Sequence, residues 1–417
     1  MNAEQEHDQF FINNCLSELA KIGETPEGGV TRLAFTVEDV LARNKIMEWM
    51  ELVGLKVRLD AAGNIFGRYT PDNSDGEVVM IGSHIDTVIN GGLYDGALGV
   101  VVGLCAIRRI IRSSPKMKRS IELVIFSDEE GVRFGGGLFG SKALIKDIAL
   151  ESITNFTDEK GISLFEALKN VGGDAEQIPH LNLNGDVKCY LEAHIDQSNE
   201  LNDEEKPIGI VTAIAGPVSL SMKILGRAGH AGAEPMDQRK DALAGAAEII
   251  LAVEETVKAV KCNYLVGTVG NMKLYPGASN VIPGEVELTI DIRGIDAKIR
   301  EEALKKIIEK AKQICTARGL ILDIFEKHRV DPISLDEELI SLLEDTSDEL
   351  GIPYKKIISR ASHDAMNMAK VVPTCMLLVR NMTGSSHCPE EEASIEDILK
   401  TVDLTAAVLQ KIIFSEK

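Results

Sequence analysis

Short apolar segments alternate with longer amphipathic ones along the first half of the chain. EVVMIG at residues 77–82, IELVIF at 121–126 and VKCYLEA at 187–193 are typical of strands that are buried on both faces of a parallel sheet. The stretch from 97 to 112, between the first two of these strands, predicts a helix. Strand, helix and strand at this spacing predict an α/β domain with crossover helices.

The pattern changes after AIAGP at residues 213–217, where alternating strands such as SLSMKILG and VELTIDIRG appear. Helices are predicted near 237–260 and 298–318. The resulting order of strand, helix, strand, strand, helix and strand predicts a small α+β, ferredoxin-like sandwich. In such a sandwich both helices cover one face of the sheet.

The C-terminal part of the chain returns to the first pattern, with a helix predicted at 337–350 and a strand at 375–379. A chain of 417 residues is also longer than a single hydrophobic core usually supports. We therefore expect residues 1–216 and 331–417 to form one mostly parallel α/β domain, into which residues 217–330 are inserted as a second domain.

Charge and apolar content exclude several classes of protein. Lys and Arg number 45 and Asp and Glu number 65, a net charge of −20 that disfavours nucleic acid as a partner. The apolar stretch at 97–107 is shorter than the roughly 18 to 20 residues that cross a membrane. The N-terminus has no pattern of a secretion signal, and the seven cysteines form no CxxC pair. We expect a soluble, cytoplasmic protein with reduced thiols.

Candidate metal ligands follow each of the three buried strands. His84 and Asp86 follow the first, Glu129 and Glu130 the second, and His194 the third. Because ligands of an open α/β sheet bind beyond the carboxyl ends of its strands, we expect these side chains to lie close together. Residues 84 and 86 project to the same side of an extended segment, so the Asp86 carboxylate can accept the N–H of the His84 imidazole.

Two further candidates, Asp95 at the start of a predicted helix and His387 late in the chain, extend this set. Imidazole and carboxylate ligands without thiolates fit a pair of divalent ions such as zinc or manganese. Adjacent residues point in different directions. One of Glu129 and Glu130 can therefore bind metal, while the other faces a metal-bound water as a general base.

Seven motifs in order along nearly the whole chain resemble one family. They are GSHIDTVINGGLYDGALGV (82–100), SDEEGVRF (127–134), EAHIDQS (192–198), GRAGHAGAEPM (226–236), ASNVIPGEVELTIDIR (278–293), SHDAM (362–366) and SSHCPEE (385–391). The sequence resembles the zinc-type hydantoinase/carbamoylase amidases, which include N-carbamoyl-L-amino acid hydrolases, allantoate amidohydrolases and β-ureidopropionases. These belong with the aminoacylase-like dinuclear metallohydrolases.

The resemblance implies a site with two divalent ions, zinc foremost and manganese or cobalt as alternatives. Five metal ligands are implied: His84, Asp95, Glu130, His194 and His387. Asp95 would bridge the ions, and Glu129 would be the general base with Asp86 as a second catalytic residue. The insert is implied to be a lid and dimerisation domain of a homodimer. Six substrate-binding residues follow from the same motifs: Gln197, His230, Asn280, Arg293, Ser362 and His363.

Arg293 offers a bidentate fork for a substrate carboxylate, with an ion pair at the end of its strand as the alternative. His230 and Asn280 can donate to a carbonyl oxygen as it becomes an oxyanion. The chain departs from the family at HIDQS, where Asp196 replaces a glutamate, and at SRASHDAM, where Arg360 and Ser362 replace small residues. The identity of the substrate is therefore left open.

The function expected from these features is metal-dependent hydrolysis of the carbamoyl or ureido C–N bond in a small carboxylate. N-carbamoyl-L-amino acids, allantoate and ureidopropionate are the candidate substrates, and a metal-bound water is the nucleophile. A metallopeptidase or an N-acyl-amino acid aminoacylase with the same metal core is the alternative. A two-domain clamshell that binds a small acid without turnover is a third possibility, although it would need no general base.

Overall fold

The computed structural model describes residues 3–72, 74–113, 117–149, 153–154, 156–183, 185–262 and 264–415. The helices it describes are α1 (Ala3–Lys21), α2 (Val37–Val53), α3 (Ala97–Ser113), α4 (Phe139–Leu144), α5 (Leu164–Leu168), α6 (Glu200–Asp203), α7 (Ala242–Ala259), α8 (Ala297–Ala317), α9 (Glu337–Leu350), α10 (Asp364–Met368) and α11 (Ile395–Phe414). Within these residues, no helix has both the length and the apolar content needed to cross a membrane.

The strands of the described residues are likewise numbered in chain order. They are β1 (Lys56–Leu59), β2 (Ile65–Tyr69), β3 (Glu77–His84), β4 (Ser120–Phe126), β5 (Asp186–Ile195), β6 (Ile208–Ile214), β7 (Gly216–Leu225), β8 (Gly229–His230), β9 (Val266–Tyr275), β10 (Val281–Ile282), β11 (Glu285–Gly294), β12 (Ile321–Arg329), β13 (Ile333–Ser334), β14 (Tyr354–Ser359) and β15 (Thr374–Val379).

The chain divides into two compact units. The first comprises Met1–Thr212, Leu335–Ile357 and His363–Lys417, and the second comprises Ala213–Ser334 and Ile358–Ser362. The short return of the chain at Ile358–Ser362 to the second unit was not anticipated from the sequence.

The first unit contains a sheet in the order β1-β2-β4-β3-β5-β15-β6, with β14 beside β6. The pairs β4–β3, β3–β5 and β5–β15 are parallel, and β4 and β15 are buried along their whole length. The pairs β1–β2, β2–β4 and β15–β6 are antiparallel. The predicted α/β class with a mostly parallel central sheet is confirmed, and the antiparallel strands lie on either side of its parallel core.

Two glycines let helix α3 lie very close to the carboxyl ends of β3 and β5. A Cβ atom at Gly99 would be 1.9 Å from the Ala193 carbonyl oxygen, and one at Gly96 would be 2.4 Å from the His84 ring. Gly96 also has a φ of +63°, which favours glycine. The first turn of α3, directly after Asp95, is thereby held against the strand ends that carry His84 and His194.

The second unit is an antiparallel sheet in the order β12-β7-β11-β9. Along β11, buried residues alternate with half-buried ones, as in a strand with one face on a core. The core of the unit contains Ile290 and Ile292 of β11 together with residues of α7 and α8, whereas β9 and β12 are largely exposed. This is the predicted ferredoxin-like order, with both helices on one face.

The two helices of the second unit begin where aspartates cap them. The Asp241 carboxylate accepts the N–H groups of Leu243 and Ala244, so α7 starts later than the predicted residue 237. Asp296 caps α8 in the same way.

Candidate metal centre

Two imidazoles face each other at the carboxyl ends of β3 and β5. His84 Nδ1 lies 3.1 Å from the Asp86 carbonyl oxygen, and His194 Nδ1 lies 3.0 Å from the Ile195 carbonyl oxygen. A carbonyl can only accept, so each Nδ1 carries a hydrogen, and in the neutral form of each ring the lone pair is on Nε2. The two Nε2 atoms are 3.3 Å apart. Both lone pairs therefore point into the same small space.

The Asp95 carboxylate lies between these imidazoles and a third one. Its Oδ1 is 3.1 Å from His194 Nε2 and 3.7 Å from His84 Nε2, and its Oδ2 is 3.2 Å from His387 Nε2. His387 Nε2 is in turn 3.7 Å from Glu130 Oε2. The structure thus forms two ligand groups that share Asp95. We call His84, Asp95 and His194 the first ligand group, and Asp95, Glu130 and His387 the second ligand group.

The chemistry of both ligand groups fits divalent cations. Two imidazole lone pairs that face each other at 3.3 Å repel unless a cation lies between them. Glu130 Oε1 is buried and has no hydrogen-bond partner among the described residues. Burial, together with the charge of neighbouring Glu130, holds the pKa of Glu129 well above its ordinary value. Such a cluster of buried carboxylates needs positive charge nearby to remain ionised.

Glu129 and Glu130 sit in a turn directly after β4, and the Asp86 carboxylate holds that turn. Asp86 Oδ1 accepts the N–H of Glu129 at 3.2 Å, and Oδ2 accepts the N–H of Glu130 at 3.1 Å. The sequence had assigned this carboxylate to the His84 imidazole, but its Oδ1 is 3.7 Å from His84 Nδ1. The backbone carbonyl of Asp86, at 3.1 Å, takes that place.

The two glutamates of the turn face different ligand groups. Glu129 Oε2 is 3.8 Å from His84 Nε2 of the first group, and Glu130 Oε2 contacts His387 of the second group. A φ of +52° at Asp128 produces the sharp bend. The segment 138–140 stabilises the bend, because its N–H groups donate to the carbonyls of residues 127–129.

Gln197 and His363 are the other predicted site residues of the first unit. Gln197 Nε2 donates to Asp95 Oδ2 at 3.3 Å and is 3.2 Å from His387 Nε2. His363 is buried, with its ring centroid 4.6 Å from that of His194. Asp196, which replaces a glutamate of the family pattern, accepts the N–H of Ser198 at 3.0 Å in the turn before α6.

Four predicted substrate-binding residues belong to the second unit, namely His230, Asn280, Arg293 and Ser362. His230 on β8 is close to Asn280 because the Ala231 N–H donates to the Asn280 carbonyl at 2.9 Å. Arg293 at the end of β11 donates from Nε to Asp291 Oδ1 at 2.8 Å and from Nη1 to the Arg360 carbonyl at 3.2 Å. This is the strand-end ion pair that the sequence left as an alternative. Ser362 is half-buried.

Two buried glutamates around the ligand groups have contacts that the sequence did not predict. Glu192 accepts hydrogen bonds from Ser83, Tyr190 and the N–H of Ala365. Glu391 accepts the N–H groups of Tyr94 and Asp95. Both lie in motifs that the sequence singled out, but all of these partners except Tyr190 are distant along the chain. Only the folded structure reveals them.

The sequence profile of peptidase family M20/M25/M40 matches residues 80–411, a span that includes all residues of both ligand groups. The chain belongs to this family.

Proteins with named activities are similar to this chain over most of its length. The N-carbamoyl-L-amino-acid amidohydrolase of Pseudomonas sp. (strain NS671) is 41% identical, covering 92% of this chain and 93% of that protein. The ureidoglycolate hydrolase of Arabidopsis thaliana is 39% identical, covering 96% and 86%.

The fold is shared with a hydantoinase/carbamoylase family amidase from Burkholderia multivorans. The TM-score is 0.89 at 31% identity, with 98% of each chain covered. The resemblance to hydantoinase/carbamoylase amidases, which the seven motifs indicated, is thereby confirmed.

Proposed function

We propose that this M20-family protein is a metal-dependent amidohydrolase that cleaves the carbamoyl or ureido C–N bond of a small carboxylate. The observation that carries the proposal is the Asp95 carboxylate between the two ligand groups, with the Glu129 carboxylate 3.8 Å from His84 Nε2. The names of the Pseudomonas and Arabidopsis relatives support this bond type, because both describe hydrolysis of a carbamoyl or ureido compound.

In this proposal the first ligand group would hold one divalent ion and the second group another, and Asp95 is a member of both groups. Zinc is the foremost candidate, and manganese or cobalt are alternatives. Such ions, when bound, polarise a substrate carbonyl and lower the pKa of water. Glu129 takes the proton of the attacking water and delivers it to the leaving nitrogen.

We propose that residues of both units recognise the substrate. Arg293 would bind the substrate carboxylate, and His230 and Asn280 would donate to the carbonyl oxygen as negative charge develops. Gln197, Ser362 and His363 complete the set. The second unit would act as a lid that closes when the carboxylate binds, so that binding energy assembles the site.

We also propose that the active form is a homodimer joined through the second unit. The sheet of this unit has its helices on one face only, and several large apolar side chains of β9 and β12 are exposed. Tyr275 is 70% exposed, Ile321 62% and Phe325 58%. A second copy of the chain would cover such side chains.

A peptidase or N-acyl-amino acid aminoacylase is the second candidate, because the family profile that matches residues 80–411 is that of a peptidase family. The same ligand groups and the same general base would serve an amide bond. Arg293 could bind these substrates as well, since peptides and acyl amino acids end in a carboxylate.

A substrate panel distinguishes these candidates. The protein is stripped of metal with a chelator, reconstituted with Zn²⁺, Mn²⁺ or Co²⁺, and tested on an N-carbamoyl-L-amino acid, N-carbamoyl-β-alanine, allantoate, ureidoglycolate, an N-acetyl-amino acid and a dipeptide. We expect turnover of at least one carbamoyl or ureido acid, no activity after chelation, and recovery with a divalent ion. Faster cleavage of the dipeptide or acetyl substrate would favour the second candidate. Binding of the acids without turnover of any substrate would favour a non-catalytic clamshell.

A further inference from the structure

Glu391 is a buried carboxylate at the end of the SSHCPEE motif, and it contacts Tyr94, Asp95 and Ser386, which all lie in the first unit. Its side chain is 4% exposed. Oε1 accepts the N–H of Tyr94 at 3.0 Å and the N–H of Asp95 at 2.9 Å, while Oε2 accepts the hydroxyl of Ser386 at 3.3 Å. Neither oxygen belongs to either ligand group. Glu391 thus contacts the backbone at Asp95 and the side chain next to His387.

These contacts join two loops that are far apart in the sequence. Glu391 and Asp95 are 296 residues apart, and each loop supplies one member of the second ligand group, Asp95 from the first and His387 from the second. The approach is close, since a Cβ atom at Gly92 would be 2.5 Å from Glu391 Oε1 and 2.6 Å from Glu391 Cβ. Residue 92 must therefore be glycine for the loops to meet in this way.

The loop of His387 needs such an anchor because its own backbone is unusual. His387 has a φ of +58°, a left-handed conformation that is costly for a residue with a side chain. The Glu391 N–H closes the turn that follows by donating to the Cys388 carbonyl at 3.2 Å. His387 is itself 48% exposed at its side chain, so packing alone holds it weakly.

We propose that Glu391 is a positioning residue that fixes Asp95 relative to His387 and thereby sets the divalent-ion affinity of the second ligand group. This inference rests on the proposed function, because it assumes that the ligand groups bind ions. The Oε1 contacts hold the backbone at Asp95, and the Oε2 contact holds the hydroxyl of Ser386, the residue directly before His387. The first ligand group has two imidazoles on strand ends and depends less on this link.

Two substitutions of Glu391 separate the effect of its hydrogen bonds from the effect of its charge. A glutamine at this position keeps an Oε1 atom that can accept both N–H groups, and its amide can donate to the Ser386 hydroxyl. Glu391→Gln therefore preserves the link and removes only the charge. Glu391→Ala removes the link and leaves two backbone N–H groups without their acceptor.

The test measures ion binding to the full-length protein without any substrate. Metal-free wild type, Glu391→Ala and Glu391→Gln are titrated with Co²⁺, whose visible absorption reports the ligand geometry, and with Zn²⁺ in competition with a chromophoric chelator. Glu392→Ala is the matched control, because Glu392 is the exposed neighbour in the same loop. We expect Glu391→Ala to lower the affinity for one of the two ions about 10- to 100-fold and to change the absorption spectrum of Co²⁺ at that position. Glu391→Gln and Glu392→Ala should stay within about threefold of wild type.

Two outcomes overturn the inference. Either Glu391→Ala binds both ions like wild type, or Glu391→Gln loses as much affinity as Glu391→Ala, in which case the charge matters and the link does not. If Glu391→Ala does not fold, Gly92→Ala replaces it, since its Cβ displaces the Glu391 side chain; unchanged binding of both ions by Gly92→Ala then overturns the inference. Failure of the proposed function looks different, because wild type itself would bind no divalent ion.

Discussion

The position of the Asp86 carboxylate leads to a prediction that separates two roles for this residue. If the carboxylate orients His84, its loss should impair ion binding. If it holds the turn of Glu129 and Glu130, its loss should impair the general base instead. The distances favour the turn, since Asp86 accepts the two N–H groups at 3.2 Å and 3.1 Å but lies 3.7 Å from His84 Nδ1.

The substitution Asp86→Asn allows the size of the effect to be worked out. An amide keeps one oxygen for one of the two N–H groups and presents an NH₂ to the other, so one hydrogen bond to a charged acceptor is lost and the remaining one is weakened. A hydrogen bond to a charged group contributes about 1.5–3 kcal/mol and a neutral one about 1 kcal/mol, which gives a cost of about 2–5 kcal/mol. At about 1.4 kcal/mol for each factor of ten, kcat should fall about 30- to 4000-fold.

Two measurements on the same variant decide between the roles, namely kcat with the substrate that the panel identifies and Zn²⁺ affinity by chelator competition. We expect the fall in kcat with a change in Zn²⁺ affinity of less than about tenfold, because the backbone carbonyl that orients His84 is present in any residue. Asp158→Asn is the control, since that carboxylate accepts the N–H groups of Lys160 and Ile162 in a loop without ligands. A kcat within about threefold of wild type, or a loss of Zn²⁺ affinity as large as the loss of kcat, would refute the reasoning.

The remaining predictions concern the general base, the binding of the substrate carboxylate by Arg293 (the carboxylate clamp), the stability of the fold and the oligomeric state. Glu129→Gln should lower kcat about 10²- to 10⁴-fold with ion stoichiometry unchanged, and near-normal turnover would place the base elsewhere. Arg293→Ala should lower kcat/KM for the acid substrate more than Arg293→Lys does, and neither should affect a neutral amide analogue; equal cleavage of acid and amide by wild type would argue against the clamp. Arg300→Met removes the donor from the carbonyls of Gly216 and Val330, at 2.7 Å and 2.6 Å, and should lower the free energy of unfolding by about 2–4 kcal/mol in denaturant titrations; an unchanged midpoint would contradict this. Light scattering should give twice the chain mass, and a monomer at working concentration would count against the dimer.

Elements that are buried on both faces, or that carry a clear period, were predicted within a few residues. The predicted strand at 121–126 is β4 (Ser120–Phe126), and the predicted helix at 337–350 is α9 (Glu337–Leu350). The edge strands were not predicted. β1 reads KVRL and β14 reads YKKIIS, which are short and mix charged with apolar residues, so their pairing depends on the neighbouring strand rather than on their own pattern.

In the candidate site too, a local pattern locates some residues, whereas contacts between distant segments could not be predicted. His84, His194 and the pair of glutamates could be located from the sequence because each lies at or just after the carboxyl end of a buried strand in one mostly parallel sheet. The part played by the Asp86 carboxylate could not, because spacing places it near His84 but says nothing of a turn 43 residues later in the chain. The assigned roles of these residues in catalysis and ion binding stay predictions until the experiments above are done.

If Arg293 binds the substrate carboxylate as proposed, its ion pair with Asp291 would restrict the direction from which that carboxylate approaches. Nε and Nη2 of the guanidinium face Asp291, at 2.8 Å and 3.5 Å, and Nη1 donates to the Arg360 carbonyl. The two side chains are 37% and 39% exposed, so their attraction is screened and contributes at most about 1 kcal/mol. Asp291 therefore orients the guanidinium without competing strongly for it. Because Nη1 and Nη2 each carry two hydrogens, a substrate carboxylate can still approach end-on. The Asp291 charge would then repel a second anionic group beside the first, which favours a monocarboxylate over a dicarboxylate.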